Sequence, residues 1–193
     1  MTTTSRTVPT TPAEFLAWEN RQRQRYELVD GVARLMTGGT LGHNVLARRF
    51  VVALDRQLRP GCSAHQSDLK VTSPTGMVTY PDVLVRCGAF DEDATEVDDP
   101  VLIVEILSPS TRREDLIRKR YGYQAIPSLR LLLYVEPKKV QVEVVTREAD
   151  NSWRSVFVTD PAASIRLEEL GVSMALGDLY AGLTAASQRK EER

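Results

Sequence analysis

The most apolar stretch of the chain carries a glutamate near its end. Residues 101–107 read Val-Leu-Ile-Val-Glu-Ile-Leu, and this almost unbroken apolar character predicts a β-strand that is covered on both faces. An ionised carboxylate at Glu105 costs several kcal/mol of desolvation there unless a positive charge compensates it. The chain must therefore fold so that a metal ion or a basic side chain reaches Glu105.

A second acid, Asp82, lies inside a predicted strand directly after Pro81. Carboxylate oxygens on neighbouring strands are the hard ligands that Mg²⁺ prefers, so Asp82 and Glu105 are candidate metal ligands. The alternative for each acid is a structural ion pair with a buried arginine or lysine.

The N-terminal part predicts a short helix and a hairpin. Thr11-Pro12-Ala13-Glu14 combines an N-cap threonine, a proline at the first helical position and a glutamate three residues after the cap, which predicts a helix at about 12–20. Asp30-Gly31 lies between two apolar runs and predicts a β-hairpin. We expect a single domain over residues 11–188, with a flexible tail at 1–10 and a frayed end at 189–193.

The central part predicts a sheet with helices on both sides. The pattern indicates these elements in order: a helix at about 42–58, strands at 63–72, 77–86 and 101–107, a helix that ends near Gln124, and a strand at 129–135. This α-β-β-β-α-β order, with two strongly apolar strands, predicts a mixed α/β sheet flanked by helices. Strands near 140–144, 153–158 and 164–167 and a helix at about 176–188 form a C-terminal extension.

Composition limits the class of protein and its location. Charges nearly cancel, with 25 basic and 26 acidic residues, which argues against a protein that coats nucleic acid non-specifically but leaves room for a local basic groove. Cys62 and Cys87 show no metal-binding spacing, and we expect them to be buried free thiols. With no signal peptide and no membrane-length apolar run, we expect a cytoplasmic protein.

Several short motifs together resemble a known family. They are Tyr26–Gly31, Gly42-His43, Ser67–Val71, Tyr80–Val83, Val104–Thr111, Asp115 with Lys119 and Tyr123, and Leu176–Tyr180. Pro81-Asp82 followed by Glu105 is similar to the signature of the PD-(D/E)XK nuclease superfamily, and the full set resembles the bacterial Uma-two family within it. The resemblance implies a restriction-endonuclease-like fold.

One position departs from the superfamily signature. A lysine usually stands two residues after the strand glutamate, but this chain has Leu107 there. The resemblance implies that the lysine function moves to the following helix, where Lys119 is the candidate. Asp115, Lys119 and Tyr123 are spaced by four residues and share one helix face. The alternative is that Asp115 and Lys119 form an ordinary surface pair.

Two further residues are candidates for supporting roles. Glu27 is either a solvated strand residue or, as the resemblance implies, a third carboxylate at the metal site. His43 begins the buried stripe of its helix and is expected to be structural, although it could contact a phosphate or a carboxylate. The basic residues around Lys119 either face a phosphate groove or form a solvated helix face.

The resemblance implies a metal-dependent endonuclease. Asp82 and Glu105, with the backbone carbonyl of Ile106, would hold Mg²⁺ (or Mn²⁺ as a substitute), and Lys119 would orient water or stabilise negative charge. The substrate is expected to be DNA. Cleavage of both strands predicts a homodimer. The alternative is an inactive nucleic-acid-binding or protein-interaction module on the same fold.

Overall fold

The computed structural model describes residues 11–36, 38–89, 91–108 and 113–183, with only the backbone described at 113–115. The predicted tail at 1–10 and the predicted frayed end at 189–193 lie outside the described residues.

Four α-helices and thirteen β-strands occur in the described residues. The helices are α1 (Pro12–Glu19), α2 (Leu41–Asp55), α3 (Arg113–Gln124) and α4 (Leu176–Tyr180). The strands are β1 (Tyr26–Val29), β2 (Val32–Leu35), β3 (Cys62–Gln66), β4 (Lys70–Thr72), β5 (Val78–Thr79), β6 (Val83–Cys87), β7 (Glu96–Val97), β8 (Leu102–Ile106), β9 (Leu131–Val135), β10 (Val142–Arg147), β11 (Trp153–Val158), β12 (Ser164–Leu167) and β13 (Val172–Ala175). Across the described ranges, each helix is too short or too polar to cross a membrane.

The main sheet has six strands in the order β11-β10-β9-β8-β6-β3. Strands β8 and β9 are parallel and are joined through α3, whereas the other neighbours are antiparallel. Along the chain its central elements run α2, β3, β6, β8, α3, β9, which confirms the predicted α-β-β-β-α-β order.

Both faces of β8 are buried, as its apolar sequence predicted. Leu46 and Phe50 of α2 pack against one face in a cluster that includes Val104 of β8. Tyr123 of α3 packs against the other face in a cluster that includes Ile103. Successive side chains of a strand point to opposite faces, so one strand contributes to both clusters.

The two strands predicted at 63–72 and 77–86 are each broken in two, which corrects that prediction. The chain leaves the main sheet after β3, where Ser67 has a φ of 49°, and returns at β6. Between them β4 and β5 join a second sheet of order β2-β1-β5-β4-β7. A local hydrophobic pattern cannot reveal that a chain changes sheets, because both parts are extended and at least partly buried.

The N-terminal helix and hairpin form as predicted. The Thr11 side chain accepts a hydrogen bond from Glu14 N at the start of α1. Asp30 and Gly31 have φ angles of 51° and 70°, the left-handed geometry of a two-residue hairpin turn. This hairpin brings β1 against β5, and Phe15 of α1 covers the junction.

The C-terminal extension differs from the prediction at its end. Strand β12 matches the predicted range, and β13 pairs with it although no strand was predicted there. Helix α4 ends at Tyr180, because Ala181 has an extended ψ of 121° and Gly182 a φ of 73°. The predicted helix to 188 is therefore wrong at 181–183, and its remainder, 184–188, lies outside the described residues.

The expectation of free thiols is wrong, because Cys62 and Cys87 form a disulfide. They face each other across β3 and β6, with 4.0 Å between their Cα atoms. The sequence separation of 25 gave no hint of this pairing, which depends on the register of the two strands.

Candidate active site

Asp82 and Glu105 lie at one edge of the main sheet, the end at which β6 begins and β8 terminates. Strands β6 and β8 are antiparallel with Val83 opposite Val104, so the next pair in that register is Asp82 and Glu105. The Ile106 backbone N–H donates to Asp82 Oδ2 over 2.7 Å and fixes that carboxylate at the end of β8. Because opposed residues of an antiparallel pair project to the same side, the two acids converge.

Lys119 reaches these acids from α3. Its Nζ lies 3.6 Å from Glu105 Oε1 and 2.8 Å from Glu27 Oε1. Lys119 is 9% exposed, so it is not part of an ordinary surface pair. The side chain of Asp115, predicted to share its helix face, lies outside the described residues.

Glu27 is buried and directed into the same site, which rules out a solvated strand residue. Its Oε1 accepts hydrogen bonds from Lys119 Nζ and from the Tyr80 backbone N–H, the latter at 3.1 Å. Glu27 belongs to β1 of the second sheet and Tyr80 follows β5, so the pairing of β1 with β5 places this carboxylate. Glu27 therefore lies against the lysine.

Tyr123 of α3 forms a hydrogen bond with Glu105. Its hydroxyl donates to Glu105 Oε1 over 2.5 Å and lies 3.0 Å from Thr79 Oγ1. Burial raises the pKa of Tyr123 well above its usual value, so the phenol stays protonated and remains a donor. Lys119 and Tyr123 thus share one face of α3, as their spacing predicted.

His43, in the first turn of α2, contacts the second acid. Its Nε2 lies 3.1 Å from Asp82 Oδ1, and this hydrogen bond raises the pKa of His43 against the opposing effect of burial. The Thr40 hydroxyl caps α2 by accepting from the His43 backbone N–H. At Gly39 an added Cβ would lie 2.8 Å from His43 Nδ1, so a side chain there would displace the imidazole.

Burial and neighbouring acids perturb Glu105. The pKa of Glu105 is raised to about 7, mainly by burial; the positive charge of Lys119 lowers it, and the negative charges of Asp82 and Glu27 add to the rise. Three carboxylates therefore converge near Lys119 and His43. Such a site favours an additional cation, because a cation relieves the repulsion between the acids.

These residues fit a divalent metal that has few protein ligands. No group of three or more histidine, cysteine, aspartate or glutamate side chains suited to a metal occurs in the described part of the chain. Mg²⁺ commonly takes one or two carboxylates and fills its remaining positions with water and phosphate oxygens. Asp82 and Glu105 supply such a pair, whereas Glu27 Oε1 already has two donors.

The acids form the floor of an open cleft of about 730 Å³. Its lining includes Leu35 at the end of β2, Met36, the start of α2, and Leu107 with Leu116. The basic cluster predicted on α3 divides between two roles. Arg118 pairs with Asp30 and Arg120 with Glu143, while Lys119 lines the cleft. Arg112 and the Arg113 side chain lie outside the described residues.

Sequence reasoning missed the contribution of Thr79 and Tyr80. Thr79 contacts the Tyr123 hydroxyl, and the Tyr80 backbone N–H holds Glu27. Both residues lie immediately before Pro81-Asp82, which is the available signal, but nothing in the sequence indicates where their polar groups point.

The six-stranded sheet with acids at its edge has a close structural counterpart. A crystal structure described as "a putative nuclease belonging to DUF820" from Anabaena variabilis ATCC 29413 matches with a TM-score of 0.76. The match covers 91% of this chain and 99% of that one, at 18% sequence identity. The protein therefore has the restriction-endonuclease-like fold, as predicted.

Sequence comparison then gives the family. The family model Uma2, described as "Putative restriction endonuclease", matches residues 12–177, and the chain belongs to this family. The uncharacterized protein slr1290 of Synechocystis sp. (strain ATCC 27184 / PCC 6803 / Kazusa) is 36% identical over 177 residues, covering 89% of this chain and 92% of that protein. The uncharacterized protein sll1609 of the same strain is 27% identical over 152 residues, covering 74% and 84%.

Proposed function

We propose that this protein is a Mg²⁺-dependent endonuclease that hydrolyses phosphodiester bonds in DNA. The observation that carries the proposal is the convergence of Asp82 and Glu105 at one sheet edge, with Lys119 Nζ 3.6 Å from Glu105 Oε1. Membership of the family supports a nuclease. The raised pKa of Glu105 and the open cleft support a cation and a large substrate at this edge.

Asp82 and Glu105, with the Ile106 carbonyl, would hold the metal. A bound Mg²⁺ supplies positive charge that activates water and offsets charge on the phosphate, and Mn²⁺ can substitute for it. His43 orients the Asp82 carboxylate, and Tyr123 orients that of Glu105 through its hydroxyl. These contacts keep both acids in place before metal and substrate arrive, which lowers the cost of assembling the site.

Lys119 acts on the reacting groups. Its ammonium group is positioned to orient the attacking water or to stabilise negative charge on the phosphate. Attack by water forms a new P–O bond while the bond to the departing ester oxygen breaks; the water releases a proton to solvent, and the departing oxygen takes up a proton from solvent to leave as a hydroxyl group. Glu27 is a positioning residue, since it holds the Lys119 amine at 2.8 Å without adding to the metal ligands.

The oligomeric state and the cellular location of the protein remain predictions. A two-fold dimer would present one site to each strand of a duplex. Cytoplasmic location stays a prediction from the sequence.

Incubation of supercoiled plasmid with the protein and Mg²⁺ or Mn²⁺ tests the proposal. Wild type should nick or linearise the plasmid, while Asp82→Ala and Glu105→Ala should be inactive with unchanged or higher melting temperatures. Arg120→Ala, whose guanidinium pairs with Glu143 outside the cleft, is the matched control and should cleave. Lack of cleavage by wild type, with metal-independent DNA binding, would instead favour an inactive binding module.

A further inference from the structure

Helix α2 carries a stripe of exposed side chains that leads away from the cleft. His43 and Asn44 line the cleft at the start of the helix. Arg48, Val52 and Arg56 follow Asn44 at intervals of four residues, and all are exposed. Residues spaced by four lie on one helix face, so the stripe is continuous from the cleft to the far end of α2.

The far part of the stripe borders a second groove of about 300 Å³. This groove lies between α2 and the β13–α4 segment, and both Arg48 and Arg56 line it. Arg49 also lines this groove and donates a hydrogen bond to the Leu179 carbonyl over 2.8 Å, which links α2 to α4. Asp178 is the acidic residue in the lining, so arginines outnumber acids there.

The charge of this surface is unlike that of the whole chain. Residues 41–60 contain four arginines and one aspartate, a local excess of three positive charges in a chain of net charge −1. No acid stands three or four residues from Arg48 or Arg56. Among the described residues neither guanidinium has an ion-pair partner. A solvated helix face normally intersperses both signs, whereas this stripe presents one sign.

We propose that the stripe formed by Arg48, Val52 and Arg56 binds the sugar-phosphate backbone of the nucleic acid on one side of the bond to be cleaved. This inference rests on the proposed function. Arg48 and Arg56 are eight residues apart, about 12 Å along the helix axis, a span that covers phosphates a few nucleotides apart. Val52 provides an aliphatic surface between them that suits the sugar.

The stripe therefore makes binding depend on the length of the substrate. A nucleic acid must continue several nucleotides beyond the cleft to reach Arg56, whereas a small phosphodiester contacts the cleft alone. Binding of a duplex should depend on both arginines, and hydrolysis of a small diester should not.

The test compares Arg48→Glu/Arg56→Glu with a charge-matched control, Arg130→Glu/Arg154→Glu. Arg130 immediately precedes β9, and Arg154 of β11 lies opposite Thr146, which in turn lies opposite Leu131 at the start of β9, so both arginines lie at the end of the sheet away from Glu105. For each protein, the Kd of a fluorescent 20-base-pair DNA duplex is measured against salt concentration, together with Mn²⁺-dependent hydrolysis of bis(4-nitrophenyl) phosphate. If charge reversal lowers the melting temperature, Arg48→Gln/Arg56→Gln replaces it.

The stripe variant should bind the duplex at least about tenfold more weakly, and its slope of log Kd against log salt should fall by about two, since each lost phosphate contact removes about 0.9. Its diester hydrolysis and the duplex binding of the control should stay near wild type. Equal duplex binding by wild type and the stripe variant, or equal losses of binding in both double variants, would contradict the role of the stripe in DNA binding. Neither result would contradict the proposed nuclease function. If wild type neither hydrolyses the diester nor cleaves DNA, the proposed nuclease function is contradicted, and so is the substrate-binding role of the stripe that rests on it.

Discussion

The Lys119 amine, on α3, donates a hydrogen bond to the Glu27 carboxylate, on β1, across 92 positions of sequence and a distance of 2.8 Å. This contact joins the main sheet, which carries the acids, to the second sheet and its hairpin. Where the superfamily signature has a lysine two residues after the strand glutamate, this chain has Leu107, and the amine that lies near Glu105 comes from Lys119 on a helix and is held by a carboxylate of another sheet. Two parts of the fold must assemble before the site is complete.

Removal of the amine should affect turnover more than metal binding. Lys119→Ala is expected to lower kcat by about 100-fold, the size expected when a positioned charge or proton-transfer group is lost. The affinity for Mn²⁺, measured by calorimetry, should change little. Arg118→Ala, one residue away and paired with Asp30, should retain wild-type turnover. Full turnover in Lys119→Ala would remove this residue from the mechanism.

Neutralising Glu27 should release the lysine. Glu27→Gln keeps an acceptor for the Tyr80 backbone N–H but loses the charge that holds Lys119, so kcat should fall about tenfold at nearly constant KM. Glu143→Gln, which loses an ion pair with Arg120 on the same side of the sheet, serves as the control. If Glu27→Gln instead weakens Mn²⁺ binding in proportion to activity, Glu27 is a metal ligand and not a positioning residue.

The buried Glu105 should make stability depend on pH in the absence of metal. The pKa of Glu105 is raised to about 7 in the folded protein by burial, so the folded state holds its proton more tightly than the unfolded state. This contribution to stability is complete below the unfolded pKa and is lost as pH rises through about 7. Glu105→Gln cannot ionise and so keeps the stability that wild type loses at high pH. It should be more stable than wild type at pH 8 by up to about 3 kcal/mol, at about 1.4 kcal/mol per pKa unit.

Urea unfolding in EDTA at pH 5 and pH 8 measures this difference. The gap between variant and wild type should be small at pH 5 and large at pH 8. A gap that is the same at both values would show that ionisation of Glu105 does not cause it.

The disulfide should stabilise the edge of the main sheet. Closing the loop between Cys62 and Cys87 restricts the unfolded chain, a contribution of up to about 3 kcal/mol for a loop of this length. Cys62→Ser/Cys87→Ser should therefore melt about 6–12 °C lower, and wild type with dithiothreitol should shift by a similar amount. A thiol assay on unfolded, unreduced wild type should find no free thiol. Two free thiols, or melting that dithiothreitol leaves unchanged, would contradict the bond.

Local patterns were sufficient for the central elements of the fold. The apolar run around Glu105 identified β8, Asp30-Gly31 identified the hairpin, and the order of elements identified the main sheet. Spacing on one helix face also placed Lys119 with Tyr123. For β8, the hairpin and the helix face, the sequence signal and the structural cause lie within a few neighbouring residues.

Features that depend on distant residues were not predictable in this way. The chain changes sheets after β3 and forms β7, and both features depend on partner strands that are distant in the sequence. The pairing of Cys62 with Cys87 depends on strand register. For Glu27, the sequence suggested a ligand or a solvated residue, but the lysine that it contacts is known only once two sheets are packed together.

The most direct test of the account is calorimetric titration of Mn²⁺ into wild type, Asp82→Ala and Glu105→Ala, in parallel with Glu14→Ala as an exposed acidic control. Asp82 and Glu105 are expected to share one cation, so either substitution should abolish the heat that wild type and the control produce, while all four proteins remain folded. Undiminished Mn²⁺ binding in both Asp82→Ala and Glu105→Ala would contradict the shared site and the nuclease mechanism built on it.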